Sequence, residues 1–251
     1  MDNQTFEVFM RIVQTRRSCR NLKPDPLPEG AVEKILEAGR WAMSGNNGQP
    51  WEFIVVTKPE VKQALWKAHQ EVHREYGFWM EQMRVPELRH PAFQHKGTVE
   101  EQIAADEKRK GWAHVPALIV VCGDGRKQWA TVMGAFTMGR HASHLTDGLA
   151  NACQIMHLAA RALGLGSAWI TIHVQEEYKR ILKVPDLVMI HSIIPIGHPH
   201  GEPGFGSRQP LEDKVHYEEF DMGKYRSTRQ VLEDMAIRRT RALEVYRKTE
   251  E

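Results

Sequence analysis

The chain has 251 residues, of which 41% are hydrophobic, so it can bury a substantial core as one large domain or two small ones. No linker rich in proline, glycine or serine divides it, and the sequence predicts one domain over residues 1–251. The 34 basic and 32 acidic residues leave a formal charge of +2. This balance argues against a nucleic-acid track or a surface for acidic membranes, so any anion must be bound locally.

The N-terminus and the cysteines indicate the compartment. Residues 1–6 lack the basic and apolar regions of a secretion signal, and no apolar run approaches the roughly 20 residues that span a bilayer. We therefore expect a soluble, cytoplasmic protein without a membrane partner. Cys19, Cys122 and Cys153 are too scattered for a disulfide framework or a metal motif, and we expect reduced packing residues.

The first predicted helix ends in a cluster of cations. Apolar residues at i, i+3, i+4 and i+7 predict an amphipathic helix over residues 5–15. The run Arg16-Arg17-Ser18-Cys19-Arg20 follows it and offers three guanidinium groups and a hydroxyl. Such a set can grip a phosphate through bidentate hydrogen bonds. The alternative is that these cations only stabilise the helix C-terminus and face water.

An amide-rich loop is predicted between a helix and a strand. Proline makes Lys23-Pro24-Asp25-Pro26-Leu27-Pro28 an extended connector, and Pro28 is expected to open a helix that reaches about residue 42. The loop Ser44-Gly45-Asn46-Asn47-Gly48-Gln49-Pro50-Trp51 then leads into the buried strand run Phe53-Ile54-Val55-Val56. The loop can bind one edge of a planar ligand, and a plain connector is the alternative.

The region from about residue 70 to 111 is rich in charge, histidine and aromatic side chains. One interpretation is a candidate lid whose aromatics face a ligand, and the other is two surface helices joined by a turn. Its histidines, and the pair His141 and His144 further on, lack a matching third ligand, so no metal site is predicted.

The run Pro116-Ala117-Leu118-Ile119-Val120-Val121-Cys122 predicts a strand covered on both faces. Gly123-Asp124-Gly125 follows it, but the third glycine of a dinucleotide fingerprint is missing. A long helix rich in small residues is predicted over about 139–163, either as a central helix or as a subunit interface. Gly164-Leu165-Gly166-Ser167 caps it and allows a ligand to approach the backbone closely.

The last part of the chain alternates strands and helices. Strands are predicted over residues 168–172 and 191–197, with a short helix over 175–182 between them. A glycine and proline loop over 201–210 carries Arg208. The charged amphipathic helix over about 228–248 needs its own core or a partner subunit to lie against.

Together, the segments from residue 16 to about 217 resemble the FMN-dependent nitroreductase family. The motifs that carry the resemblance stand in the family's order: Arg16-Arg17-Ser18-Cys19-Arg20, Lys23-Pro24-Asp25-Pro26-Leu27-Pro28, Ser44-x-x-Asn47-x-Gln49-Pro50-Trp51-Glu52-Phe53, Gly164-Leu165-Gly166-Ser167, Pro195-Ile196-Gly197-His198-Pro199 and Arg208-Gln209-Pro210-Leu211. The chain departs from the family at Met43, where proline is common, at Leu22, where an aromatic is frequent, and at His198, where tyrosine is common. These departures leave substrate preference open.

The resemblance implies an α+β homodimer, with a mixed sheet flanked by helices and residues 212–251 embracing the partner. Two FMN molecules are expected at the dimer interface. The cofactor contacts implied by motif position are Arg16, Arg17, Ser18, Arg20 and Arg208 at the phosphate and ribityl chain, Met43, Ser44, Asn47 and Gln49 from the other subunit or along the ribityl and ring edge, and the backbone of Gly166 and Ser167 near the reactive ring edge.

The activity implied is an FMN oxidoreductase that takes hydride from NADH or NADPH onto flavin N5 and passes it to a nitroaromatic, quinone or activated alkene in a ping-pong cycle. No catalytic side chain is assigned, because the flavin carries the chemistry. The alternatives are specialised flavin chemistry, either reductive dehalogenation or oxidation with oxygen that includes flavin breakdown, and a module that binds FMN without turnover.

Overall fold

The computed structural model describes residues 3–76, 101, 104, 111–127, 143–201 and 208–247. They form two compact units, the larger holding the described residues up to 201 and the smaller holding 208–247. The single domain over 1–251 stays a prediction. Most of the candidate lid at 70–111 lies outside the described residues.

The larger unit carries the sheet and five of the helices described below. Its elements in chain order are α1 (Asn3–Thr15), β1 (Leu22–Lys23), α2 (Ala31–Arg40), a 3-10 turn (Gly45–Asn47), β2 (Trp51–Val56), α3 (Pro59–Tyr76), β3 (Ala117–Asp124), a 3-10 turn (Gly125–Lys127), α4 (Ser143–Ala162), β4 (Gly166–Ser167), β5 (Ile170–Thr171), α5 (Glu176–Leu182) and β6 (Val188–Pro199). The smaller unit holds a 3-10 turn (Met222–Lys224) and α6 (Thr228–Arg247).

The strands form a six-stranded sheet in which β6 is the central partner. The main path runs β1-β6-β3-β2, while β4 and β5 also pair with β6. All of these ladders are antiparallel. A parallel component comes from an isolated bridge between Ser18 and Ser167. The expected α+β fold class is therefore confirmed.

Every residue of β3 is buried, as the apolar run predicted. Ile119 and Val121 lie in a core with α2 and α4. Leu118 and Val120 lie in a second core with α3 and α5 on the opposite side. Alternate side chains of a strand point to opposite faces, so the sheet is covered by helices on both.

Several boundaries differ from the sequence prediction for local reasons. Helix α2 begins at Ala31 rather than at Pro28, because Gly30 adopts the left-handed region with φ of 69°. The strand expected over 168–172 keeps only Ile170–Thr171 beside the separate β4. The register places Ala168 opposite Pro195, which has no N–H to donate, so the ladder is interrupted there.

The predicted glycine cap after α4 is confirmed. Gly164 has φ of 75°, in the left-handed region. The amide of Gly164 donates to the Arg161 carbonyl at 3.0 Å and the amide of Leu165 donates to the Ala160 carbonyl at 2.9 Å. These bonds satisfy carbonyls at the helix end and turn the chain into β4.

None of the helices within the described ranges is both long and apolar enough to cross a membrane.

A buried carboxylate at the end of β3 fixes the turn that follows, which lies beside the Ser44–Gln49 loop. Asp124 accepts hydrogen bonds from the Arg126 side chain at 2.9 and 2.8 Å and from its amide at 3.0 Å. The backbone amide of Asp124 donates to the Pro50 carbonyl at 2.9 Å. The Arg126 side-chain bonds lower the pKa of Asp124 to about 2.

We predict that Asp124→Asn reduces the free energy of unfolding at pH 7 by about 1–2 kcal/mol, because hydrogen bonds to a buried charge are weakened. The loss is not larger because the Arg126 side chain is mostly exposed, so solvent screens the ion pair. The lowered pKa means that this stabilisation is present above the ordinary pKa of 3.8 and is lost as the pH falls towards 2. Urea unfolding at pH 7 and pH 3 measures it.

The matched control is Glu37→Gln. Glu37 has a similar bond to Arg40 but a side chain that is 55% exposed, so little change is expected. An Asp124→Asn loss that is equal at both pH values would contradict the assignment to the ionised carboxylate.

Candidate functional site

The cation-rich segment Arg16-Arg17-Ser18-Cys19-Arg20 lies directly beside β4. Ser18 forms a parallel bridge with Ser167, and the amide of Cys19 donates to the Ser167 carbonyl at 2.9 Å. Two motifs that are about 150 residues apart in the sequence are therefore neighbours in the fold.

The polar groups of this segment are open to a ligand. The side chains of Arg17, Ser18 and Arg20 are exposed, and Arg16 is half-buried. Cations and a hydroxyl carried on a backbone that is fixed to a sheet edge can bind an anionic group through charge-assisted hydrogen bonds. The site therefore suits a phosphate.

Helix α4 lies behind the segment and contacts both of its ends. The Arg161 Nε donates to the Thr15 Oγ1 at 2.9 Å, just before the segment begins. His157 Nδ1 lies 2.7 Å from the Ser167 Oγ, beside Cys19. Burial lowers the pKa of His157 to about 4, and the nearby charge of Arg16 lowers it further in the same direction, so the imidazole is neutral near pH 7.

The structure shows packing roles for Gly166 and Ser167, and their backbone contacts to the cofactor stay a prediction. A Cβ on Gly166 would lie 2.6 Å from the Leu22 Cδ2 and 3.0 Å from the Cys19 Cβ. Glycine is therefore required for packing against β1 and the cation-rich segment, and close approach of a ligand is not needed to explain it. The Ser167 side chain is buried against His157, which leaves its backbone for other contacts.

A cavity of about 230 Å³ opens beside Arg20. Most of its wall is aromatic or apolar: it is lined by Arg20, Trp66, His69, Gly111, Trp112, Ala168, Ile170 and Pro195. Trp66 and Trp112 meet edge to face with ring centroids 5.3 Å apart. Binding pockets for whole ligands usually measure about 300–1,000 Å³, so this cavity suits one end of a planar ring system.

The cavity wall includes a buried donor without an acceptor. Trp112 is 5% exposed, and its indole N–H has no hydrogen-bond partner among the described residues. An unpaired buried donor costs about 1–3 kcal/mol, so the Trp112 N–H lowers the local stability beside the cavity.

The Ser44–Gln49 loop lies elsewhere on the same chain and has a strained backbone. Asn46, Asn47 and Gln49 have φ of 52°, 50° and 44°, in a region that residues other than glycine rarely adopt. The Ser44 Oγ accepts a hydrogen bond from the Gln49 amide at 3.0 Å. These features hold the amide side chains in a defined arrangement on an exposed surface.

This loop packs on the N-terminal half of α4, away from the cation-rich segment. The Met43 carbonyl accepts a hydrogen bond from the Asn151 Nδ2 at 3.2 Å, and a Cβ on Gly148 would lie 3.2 Å from the Ser44 Cβ. His157 follows Gly148 by nine residues, so the two contact points are about 13 Å apart along the helix. One chain therefore does not bring the loop and the segment onto a single small anion.

Arg208 lies in the smaller unit and is exposed. Its role beside the segment of residues 16–20 stays a prediction. Residues 202–207 and His141 lie outside the described residues.

Four residues at the site were not predicted from the sequence: His157, Arg161, Trp66 and Trp112. The signal for the first two was available, since His157 and Arg161 are polar residues four apart on a helix that is otherwise apolar and small on that side. The tryptophans lie far apart in sequence, and only the fold brings them together.

FMN, the cofactor that the resemblance implies, fits these residues. The open cations of residues 16–20 suit its phosphate. The aromatic and apolar cavity at Arg20 suits one end of the planar ring. Within the ranges the structure describes, no group of three or more histidine, cysteine, aspartate or glutamate side chains could hold a metal ion.

The chain is similar to known proteins in sequence and in fold. The sequence model described as Nitroreductase family matches residues 13–198. An NADH dehydrogenase from Thermus thermophilus is 29% identical over 211 residues, which cover 80% of this chain and 91% of that protein. An FMN-dependent nitroreductase from Clostridium difficile R20291 has a TM-score of 0.55 at 22% identity, covering 84% of this chain and 99% of that one. An iodotyrosine deiodinase bound to FMN and 3-iodo-L-tyrosine has a TM-score of 0.61 at 19% identity, covering 84% and 100%.

The cavity wall allows a test of its packing with two glycines. Gly111 and Gly164 both have positive φ, but a Cβ on Gly111 would lie 2.3 Å from the Trp66 ring, whereas a Cβ on Gly164 meets nothing within 4 Å. We predict that Gly164→Ala lowers the free energy of unfolding by about 1–2 kcal/mol through backbone strain alone. Gly111→Ala should lose a further 1–3 kcal/mol, roughly, through overpacking.

Urea unfolding measures both losses, and near-ultraviolet circular dichroism should change only for Gly111→Ala, because only that variant displaces Trp66. Equal losses for the two variants would show that Trp66 does not pack against Gly111 in solution.

Proposed function

The chain belongs to the nitroreductase family, and from this premise we propose that it is an FMN-dependent oxidoreductase that uses NADH or NADPH to reduce a small organic acceptor. The observation that carries the proposal is the bridge between Ser18 and Ser167. It places an exposed cation-rich segment beside the turn after α4, next to an aromatic cavity that Arg20 also lines.

Within this proposal, residues 16–20 hold the anionic end of the cofactor. Arg17, Ser18 and Arg20 offer exposed donors, and Arg16 is half-buried and near enough to His157 to lower the pKa of its imidazole. Arg208 is assigned to the same phosphate from the smaller unit. Fixed donors on separate segments favour a doubly charged group over a neutral one.

The chain orients the ring and excludes water from one end of it. Trp66 and Trp112 form part of the wall of the cavity at Arg20, where their rings can pack against one end of the flavin. When bound, FMN supplies the redox chemistry by accepting hydride from the nicotinamide and delivering it to a nitroaromatic, quinone or activated alkene. No side chain of this chain is assigned a catalytic proton.

The position of the Ser44–Gln49 loop supports a homodimer. Its contact on α4 is about 13 Å along the helix from that of His157, so a loop that reaches the same cofactor would come from a second chain. Met43, Ser44, Asn47 and Gln49 are the residues assigned to that contact. The loop is exposed, and contacts within its own chain fix its backbone. It is therefore suited to form one wall of a cofactor site on a second chain.

Exposed apolar side chains also support association. In α1, Phe6 is 57% and Phe9 is 51% exposed. In the smaller unit, Tyr217 is 81% and Leu211 is 73% exposed, ahead of the long helix α6. Large apolar side chains left exposed in the same segment are a feature of protein interfaces. We assign residues 212–251 to an arm that embraces the second chain.

A second candidate function is reductive dehalogenation, which the structural likeness to an iodotyrosine deiodinase favours. It uses the same proposed cofactor site and differs in the acceptor. Two further alternative functions are oxidation with oxygen and FMN binding without turnover. The acceptor assay below distinguishes them from reduction of an organic acceptor.

We predict that Arg20→Ala and Arg208→Ala each weaken FMN binding by about 10- to 100-fold, because a charge-assisted hydrogen bond contributes roughly 1.5–3 kcal/mol. Quenching of FMN fluorescence on titration with the cofactor-free protein measures the dissociation constant. The control is Arg40→Ala, which removes a cation that is paired with Glu37 on the surface. Unchanged affinity in both variants would contradict the phosphate assignment.

We also predict that bound FMN is reduced by NADH or NADPH in anaerobic stopped-flow, and that a nitroaromatic, quinone, activated alkene or halogenated phenol then restores its colour. Acceptor turnover identifies the physiological class, and reoxidation by oxygen alone is followed in parallel. If the bound flavin is not bleached at a useful rate by either nucleotide, the protein is a flavin-binding module and the reductase proposal fails.

A further inference from the structure

Helix α4 carries two polar side chains toward the cation-rich segment of residues 16–20. His157 and Arg161 are four residues apart and therefore share a face of the helix. Arg161 Nε donates to the Thr15 Oγ1 at 2.9 Å, immediately before the segment. His157 Nδ1 lies 2.7 Å from the Ser167 Oγ. The helix thus contacts both ends of the segment, the second one through Ser167.

The contact through Ser167 reaches the backbone of the segment. The Ser167 carbonyl accepts the amide of Cys19 at 2.9 Å, and Ser167 also forms the parallel bridge with Ser18. Ser18 and Cys19 lie between the cations Arg17 and Arg20. Moving Ser167 would therefore move the donors that face the ligand.

His157 is buried at a position where an apolar side chain would normally lie. It is 4% exposed, packed among the core residues of α4, and its ring stacks on Trp169 with centroids 6.2 Å apart. A buried polar side chain is stabilising only when it is hydrogen-bonded, and Ser167 provides that bond. The hydrogen bond of His157 is made to Ser167, the residue whose backbone pairs with Ser18 and Cys19.

We propose that His157 is a positioning residue for the cofactor phosphate, which acts by fixing Ser167 and through it the backbone of residues 16–20. This role rests on the proposed FMN function. His157 does not touch the cofactor. It holds the amide and guanidinium donors of the segment in the arrangement that a phosphate requires, with Arg161 fixing the start of the same segment.

The test compares variants that differ only in this hydrogen bond. His157→Phe keeps a planar ring of similar size and removes the bond. His157→Asn retains an amide that can replace Nδ1, and Ser167→Ala removes the bond from the other side. The matched control is His191→Phe, because His191 also packs against Trp169, with centroids 5.2 Å apart, and its Nε2 has no partner in the described part of the chain.

The first measurement is amide hydrogen exchange of residues 16–20 in the full-length protein without FMN. In His157→Phe and in Ser167→Ala we expect the Cys19 amide to exchange about tenfold faster, because the carbonyl that accepts it is no longer fixed. His157→Asn should restore protection, and His191→Phe should match the wild type.

The second measurement is the affinity for FMN and for riboflavin, which lacks the phosphate. In His157→Phe we expect FMN to bind about tenfold more weakly while riboflavin affinity stays the same, and His157→Asn should recover FMN affinity. A general loss of stability would weaken both ligands alike.

Three results would overturn the proposal: wild-type exchange rates at residues 16–20 in both His157→Phe and Ser167→Ala, equal weakening of FMN and riboflavin, or the same effects in His191→Phe. If one substitution prevents folding, the other removes the same bond and decides the outcome. If the wild-type protein binds no FMN, the proposed function and the phosphate role both fail, and the exchange rates still show whether His157 holds the segment.

Discussion

The hydrogen bond from the Cys19 amide to the Ser167 carbonyl fixes the cation-rich segment on the edge of the sheet, and the rest of the site depends on it. Three guanidinium groups within five residues repel one another and would spread in a free loop. Attachment to β4 keeps their backbone in place whether or not an anion is bound. The arrangement is preorganised, which reduces the entropy lost on binding.

Strand β6 makes that attachment possible because it pairs with most of the sheet. It holds β3 along its length, β1 at Pro199 and His198, and β4 at Gly197 and Ile196. The connector that follows the cation-rich segment and the turn that follows α4 therefore end on the same strand. Gly166 is needed here because Leu22 and Cys19 occupy the space that a side chain would fill. The same close packing at Gly166 therefore holds the sheet edge together and positions the donors of residues 16–20.

Sequence predicted the elements well where the signal was local. The buried run of β3, the glycine cap at Gly164 and the strand β2 follow from composition and backbone preference. The interruption at Ala168 escaped prediction because it depends on Pro195 in another strand. Family resemblance assigned Ser18 and Ser167 to different parts of one cofactor, and their direct pairing is seen only in the fold. The polar pair His157 and Arg161 is visible in the sequence of α4, but the role of His157 could not be predicted because its partner Ser167 is brought to it only by the fold.

The strained loop places a constraint on how a complete site can form. Asn46, Asn47 and Gln49 hold left-handed backbone conformations, each of which costs about 1–3 kcal/mol and persists only when the surroundings fix it. Those surroundings are present within one chain: Gly148 on α4 at one side and the Lys127 carbonyl near Gly48 at the other. The loop is thus ordered before any second chain arrives. Because α4 separates it from residues 16–20, two copies related by a twofold axis could each supply one ordered wall to the other's cations, and neither wall would have to fold on binding.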